Sequence, residues 1–314
     1  MRRRHFIKFT AQGLLLPRII DSEIPYYAST FTGDPKFYLF SKHLQFLNYA
    51  EMAKATADLG FYGLDLTVRK GGHVEPSRVQ EELPKAVEIM QKAGLQSEVM
   101  ATDVTNAEDV IHRQVLTTAS RLGIKFYRLG YLDYVPELSQ PARLAKLNQQ
   151  MHSLAAFNQS LRLTGAYQNH SGKRIGAQIW ELHHLLKDIP KEHLGVQYDI
   201  RHAMVEGGES WENGLQLIAE QINCLVLKDY YWAKNNAGLW EVVNVPLGQG
   251  MVDFKYFFQL IKKSGLHVPM IIHCEYDLGG AEHGAKILTG KNPAEVFTAM
   301  ARDLQYALDT WRQA

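Results

Sequence analysis

"LTGAYQNHSG", residues 163–172, begins as an apolar run and ends in Gln168, Asn169, His170 and Ser171, with Gly172 behind them. Parallel barrels keep their chemistry at the C-terminal ends of their strands, and a strand that closes on ligand-type side chains fits that plan. The rest of the chain repeats it. "FYLFSKHLQF" (37–46), "YGLDLTV" (62–68), "LQSEVMATDV" (95–104), "KFYRLGY" (125–131), "LGVQYDI" (194–200), "INCLVLKDYY" (222–231) and "VPMIIHCEYD" (268–277) read as strands that run into polar loops.

Between them lie segments with apolar residues at helical spacing. "NYAEMAKATADLG" (48–60) ends in Gly60, a helix-terminating residue. Pro84 sits early in the next helix, which ends near Gly94, and Asn106 is the expected N-cap of a third that ends near Gly123. Further helices are expected after Pro141 to about Ser160, over Gln178–Lys187, around Trp211–Glu220, over Asp253–Ser264 and from about Asn292. A long loop rich in Asn and Gly joins the seventh strand to Asp253. Strict alternation of strand and helix implies a parallel sheet, and eight units over about 280 residues fit an α/β (β/α)8 TIM barrel. No composition shift or Gly/Ser linker marks a second domain, so residues 29–314 are expected to form one barrel.

The chain has 314 residues, 46% hydrophobic and 21% charged, with a formal net charge of +1. No basic face is implied, which argues against nucleic acid as a partner. No apolar run approaches the roughly 18 residues of a membrane span. A homo-oligomer is compatible with this composition. At the N-terminus, Arg3, Arg4, His5, Phe6, Ile7 and Lys8 resemble a twin-arginine export signal. Residues 1–28 are therefore set apart as a signal or basic arm, with a periplasmic location expected if the signal acts and a cytoplasmic one otherwise.

The strand ends carry Lys42 and His43; Arg69 and His73; Thr102 and Asp103; Arg128; Gln168, Asn169 and His170; Asp199, Arg201 and His202; Lys228 and Asp229; and His273, Glu275 and Asp277. Side chains two apart on a strand share a face. Lys228 therefore shares a face with Val226 and Cys224, and Glu275 with His273, while Cys274 faces the helices. Cys224 and Cys274 are then not expected to pair. Asp199, Glu275 and Gln168 would converge at the mouth, as two carboxylates and an amide oxygen suited to a hard divalent cation. A hydrogen-bonded polar plug without metal would use the same residues.

Five motifs, "GLDLTVRKGGHV" (63–74), "YQNHSG" (167–172), "YDIRHA" (198–203), "VPLGQGMVDF" (245–254) and "CEYDLGG" (274–280), together resemble the xylose-isomerase-like barrel superfamily. It includes sugar phosphate isomerase/epimerase-like proteins and the AP-endonuclease family 2 branch, and the resemblance spans Phe37 to Leu304. It implies a metal site built from a Glu on strand five, an Asp on strand six, a His on strand seven and a Glu on strand eight. Asp199 matches the Asp, with His202 in the usual D-x-x-H spacing, and Glu275 matches the last Glu. Gln168 stands where the first Glu is expected and Val226 where the His is expected. His73 matches a loop histidine of the endonuclease branch.

An amide cannot take a proton, so a symmetric pair of glutamate bases is not expected. The resemblance implies instead a metal-dependent isomerase/epimerase or lyase/hydratase acting on a free or 3-keto sugar by proton abstraction next to a carbonyl. The expected metal is Mn²⁺ or Mg²⁺, with Zn²⁺ as a further option, on Asp199, Glu275 and Gln168. The expected catalytic groups are Glu275, Lys228, His170 and His202. Arg128, His73, Lys42, His273 and Asn169 are the expected substrate contacts. The alternative is a sugar-binding barrel whose site has decayed.

Overall fold

The computed structural model describes residues 35–314. The arginine pair and the rest of residues 1–34, including the whole expected signal, lie outside the described residues. Eight parallel strands close a barrel: β1 (Phe37–Phe40), β2 (Gly63–Val68), β3 (Gln96–Thr102), β4 (Phe126–Arg128), β5 (Thr164–Gln168), β6 (Leu194–Asp199), β7 (Ile222–Leu227) and β10 (Met270–Ile272), the last pairing with both β7 and β1. Around it run α1 (Tyr49–Asp58), α2 (Val79–Lys92), α3 (Val110–Arg121), α4 (Gln140–Leu161), α5 (Ile179–Leu185), α6 (Ile200–Gly207), α7 (Trp211–Ile218), α8 (Phe254–Lys263) and α9 (Pro293–Gln313). The expected α/β (β/α)8 barrel is the fold found. No helix among the described residues is long and apolar enough to cross a membrane.

The two strand faces separate two cores. Inward-facing Tyr38, Phe40, Val99, Ala101, Cys224, Val226 and Ile271 fill the barrel interior. The outward faces join the helices in a larger cluster that includes Leu64, Leu66, Leu225, Leu227 and Phe257. Cys224 and Cys274 are both free and buried, and Cys274 Sγ donates to Asp303 on α9, outside the barrel, as strand alternation requires.

Several local expectations are corrected. The first strand stops at Phe40, and Ser41–Leu44 turn into a 3-10 helix that places Lys42 and His43. Asn106 does not cap α3; it accepts from the amides of Glu108 and Asp109, and Asp109 caps the helix. The segment after β7 is not a loop. It forms an antiparallel hairpin, β8 (Asp229–Lys234) with β9 (Trp240–Val245). Its base is fixed by the buried Asp229 carboxylate, which accepts from the amides of Gly248, Gly250 and Val252. A Cβ at residue 250 would lie 2.2 Å from Asp229 Oδ1 and 2.3 Å from the Tyr230 carbonyl, so only glycine fits. The "VPLGQGMVDF" motif thus forms a cradle for Asp229.

Inside the barrel, Asp65 on β2 is fully buried and both its oxygens lack a hydrogen-bond partner among the described residues. Burial pushes its pKa from 3.8 up to about 7, against the pull of Arg128 and Arg69. The unfolded carboxyl ionises near its ordinary value while the folded one keeps its proton, so this group costs stability increasingly as pH rises between those values and most fully above about 7. Asp65→Asn should therefore raise the thermal midpoint more at pH 8 than at pH 5, by several degrees at roughly 2 °C per kcal/mol or more. Equal shifts at both pH values would show that Asp65 is ionised or compensated in the fold.

Candidate active site

The mouth of the barrel carries a chain of polar contacts that follows the strand order. Arg128 at the end of β4 donates to Gln168 Oε1 on β5 at 3.2 Å. Gln168 Nε2 donates to Asp199 Oδ2 on β6 at 2.8 Å. Lys228, just past β7, places Nζ 3.1 Å from Asp199 Oδ2 and 3.0 Å from Glu275 Oε2 beyond β10. Lys42, after β1, closes the row on Glu275 Oε1 at 2.6 Å. Cation, amide, anion, cation, anion and cation thus alternate over six adjacent strand ends.

Burial alone would lower the pKa of Lys228, but the carboxylates of Asp199 and Glu275 outweigh it and hold it above its ordinary value. Burial alone would raise that of Glu275, yet Lys228 first, then His273 and Lys42, hold it well below the carboxylate range. Lys42 is lowered by its burial, with Glu275 opposing. Glu275 thus stands in this row as the counter-ion of Lys228 and Lys42.

The expected metal ligands are brought together, but their donor orientation does not suit a resident divalent ion. Gln168 turns its oxygen to Tyr131 OH at 2.8 Å and to Arg128, and shows its N–H to Asp199. Reversing the amide would set its oxygen against the Asp199 carboxylate. The Lys228 ammonium lies between the two carboxylates, Val226 faces the apolar interior, and no three His, Cys, Asp or Glu converge as a ligand set among the described residues. Asp199, Glu275 and Gln168 do not fit the expected Mn²⁺, Mg²⁺ or Zn²⁺ in this arrangement.

The D-x-x-H spacing has a local cause. Asp199 is the N-cap of α6, its Oδ1 accepting from the His202 amide at 3.1 Å. His202 Nδ1 receives the Ser171 amide at 3.1 Å and lies 2.7 Å from Arg201 Nη1, two groups that only donate. Nε2 is 3.1 Å from Lys228 Nζ and 3.5 Å from Asp199 Oδ2. Burial, then Lys228, keeps the ring neutral, far below its usual pKa. Both ring nitrogens of His202 are thus occupied by protein groups.

His170 differs. Its Nδ1 lies 2.9 Å from the Ser171 carbonyl, which only accepts, so Nδ1 carries the proton and Nε2 keeps a lone pair. The ring packs 4.1 Å from that of His202 and 5.0 Å edge-on to Tyr131, and stays partly exposed.

The expected substrate contacts divide. Arg128 and Lys42 belong to the rim. Asn169 does not contact substrate space; it clips β5 to β6, accepting from the Asp199 amide at 2.7 Å and donating to the Asp199 carbonyl at 2.9 Å. His73 is also consumed by the fold, with Nδ1 on Ser41 and Thr67 hydroxyls and Nε2 on the Leu44 carbonyl. His273 stacks on Phe40 at 4.2 Å, below the rim, with neither ring nitrogen hydrogen-bonded among the described residues. Sequence reasoning missed Tyr131, which orients Gln168, and Asn244 on β9, which donates to the Glu275 carbonyl and accepts from Arg201. Tyr131 sits three residues past Arg128, at the end of the quoted "KFYRLGY". Asn244 had no signal, because its strand was not expected.

A model of the xylose isomerase-like TIM barrel family matches residues 53–298. The chain belongs to this family. No curated protein matches it. Among solved structures, the xylose isomerase-like barrel is shared with a D-allulose 3-epimerase from a Methylomonas species, at 13% identity and TM-score 0.64 over 88% of this chain and 98% of that one. A 3-keto-D-glucoside 4-epimerase from E. coli, YcjR, matches at 10% identity and TM-score 0.60 over 87% and 98%. A probable 3-DHS dehydratase, AsbF, from Bacillus anthracis matches at 14% identity and TM-score 0.60 over 86% and 98%. At these identities the likeness establishes the xylose isomerase-like fold alone.

The Asn169 clip can be tested apart from any activity. Asn169→Ala removes two hydrogen bonds and leaves a buried amide and carbonyl of Asp199 unpaired, at a cost of about 2–3 kcal/mol. Urea unfolding should show this loss, and a change below about 0.5 kcal/mol would place Asn169 outside the framework.

Proposed function

We propose that this chain is an enzyme of the isomerase/epimerase kind that acts on a free or keto sugar by removing a proton next to a carbonyl. His170 is the base. The observation that carries this reading is its placement: a partly exposed ring whose Nδ1 lies on a backbone carbonyl stands just past β5, next to the rim that carries Arg128, Lys228 and Lys42. The proton passes from carbon to His170 Nε2, and the electron pair moves onto the carbonyl oxygen, where the cationic rim stabilises the charge. The imidazolium then returns the proton to carbon or oxygen, or assists departure of a hydroxyl as water.

The names of the structural neighbours support this chemistry. A 3-keto-glucoside 4-epimerase and an allulose 3-epimerase each act at a carbon beside a carbonyl. The twin-arginine-like residues at Arg3 and Arg4 support a substrate met outside the cytoplasm.

The test is proton exchange. The full chain, incubated with a 3-keto sugar or a ketose in D2O, should wash deuterium into the position beside the carbonyl, as read by NMR. His170→Ala should slow this by about 10²–10⁴-fold, the usual worth of a general base, with sugar affinity little changed. Tight binding with no exchange in the parent would identify a sugar-binding barrel instead. Separately, replacing Arg3 and Arg4 by Lys should retain the protein in the cytoplasm on cell fractionation; an unchanged distribution would leave those residues a basic arm.

A further inference from the structure

We propose that the Lys228 ammonium is the resident cation of this site, so that the chain supplies from its own sequence the positive charge that two converging carboxylates need. The inference concerns the same pocket as the function proposed above, and it stands on three observations.

The first is position. Nζ lies 3.1 Å from Asp199 Oδ2 and 3.0 Å from Glu275 Oε2, ordinary lengths for charge-assisted hydrogen bonds. An ion bound by both carboxylates would lie between these same two oxygens, where the ammonium already sits. Ammonium and ion therefore compete for a single place. The Lys228 side chain is 4% exposed, so the ammonium has no route to solvent that would vacate the gap without unpairing it.

The second is charge. Asp199 and Glu275 are already matched by Lys228 and Lys42. Adding a divalent ion would leave a buried excess of positive charge, which a low-dielectric site resists.

The third is the neighbouring side chains. A carboxylate at residue 168 would stand beside Asp199 with no proton to offer. Gln168 instead donates to Asp199, and Arg128 and Tyr131 hold its amide in that sense. Two residues before Lys228, inward-facing Val226 belongs to the apolar interior and offers an ion no donor. Both positions are complementary to an ammonium and poor for an ion.

The test reads metal content and thermal stability, neither of which depends on turnover. The full chain, purified without chelator, should contain far less than an equivalent of Mn, Mg or Zn by elemental analysis. Its thermal midpoint should not move with EDTA or with about 1 mM Mn²⁺, since a ligand that binds only the folded state must raise that midpoint. Lys228→Met and Lys228→Ala should melt lower at neutral pH and regain several degrees on addition of Mn²⁺, because the freed gap then accepts an ion; Lys228→Arg should remain indifferent to metal. A parent chain that holds close to an equivalent of metal, or melts lower in EDTA, overturns the proposal whether or not the variants fold. Folded Lys228→Met and Lys228→Ala proteins that ignore Mn²⁺ overturn it as well. Metal in the parent together with sugar proton exchange would sink this inference and leave the proposed reaction standing. No metal and no exchange would do the reverse.

Discussion

The ammonium of Lys228 between Asp199 and Glu275 is the contact on which the barrel mouth depends. Two carboxylates on the strand ends that flank β7 cannot both stay ionised in a buried site without a cation between them. With Lys228 there, each neighbour in strand order takes the opposite character: Gln168 turns an N–H to Asp199, and Lys42 turns an ammonium to Glu275. Arg128 then has an amide oxygen to meet rather than a carboxylate. The row is set by side-chain polarity, and it is positioned by a parallel barrel that brings six consecutive strand ends to one rim.

Beneath the rim the interior is less comfortable. Asp65 and Gln197 carry buried polar atoms without hydrogen-bond partners among the described residues, while the layer around them is Tyr38, Val99, Ala101, Cys224 and Ile271. Buried polar groups left unpaired cost stability, and proteins hold them mainly near functional sites.

Alternation of strands with helices, and the polar residues at each strand end, were legible because both rest on periodicity and on short-range chemistry. What was not legible was direction. The sequence places Gln168 beside Asp199, but whether its oxygen or its N–H faces the carboxylate depends on Tyr131 and Arg128, which belong to the preceding strand end. Asp199, His202 and Asn169 read as a ligand, a catalytic group and a substrate contact because capping, a strand-to-strand clip and site chemistry use the same residue types. The hairpin after β7 escaped because "DYYWAK" extends an apolar strand without a break, and its return strand follows an Asn- and Gly-rich turn. The first part of the sixth crossover escaped for a similar reason, since α6 starts directly after Asp199, which both ends β6 and caps the helix.

The same directionality bears on the reaction. His202 has its Nδ1 filled by the Ser171 amide and Arg201, and its Nε2 faces Lys228 and Asp199. It therefore forms a neutral wall 4.1 Å from His170 rather than a partner in proton transfer. Glu275, tied to two lysines, is a weak proton acceptor. On the proposed reading a single group, His170, then takes the proton and is also placed to return it, from the same side of the sugar. Inverting a stereocentre by deprotonation requires a donor on the opposite face, whereas moving a carbonyl along the chain or losing water does not. A one-base rim of this kind suits isomerisation or elimination better than epimerisation, even though the fold is shared with epimerases.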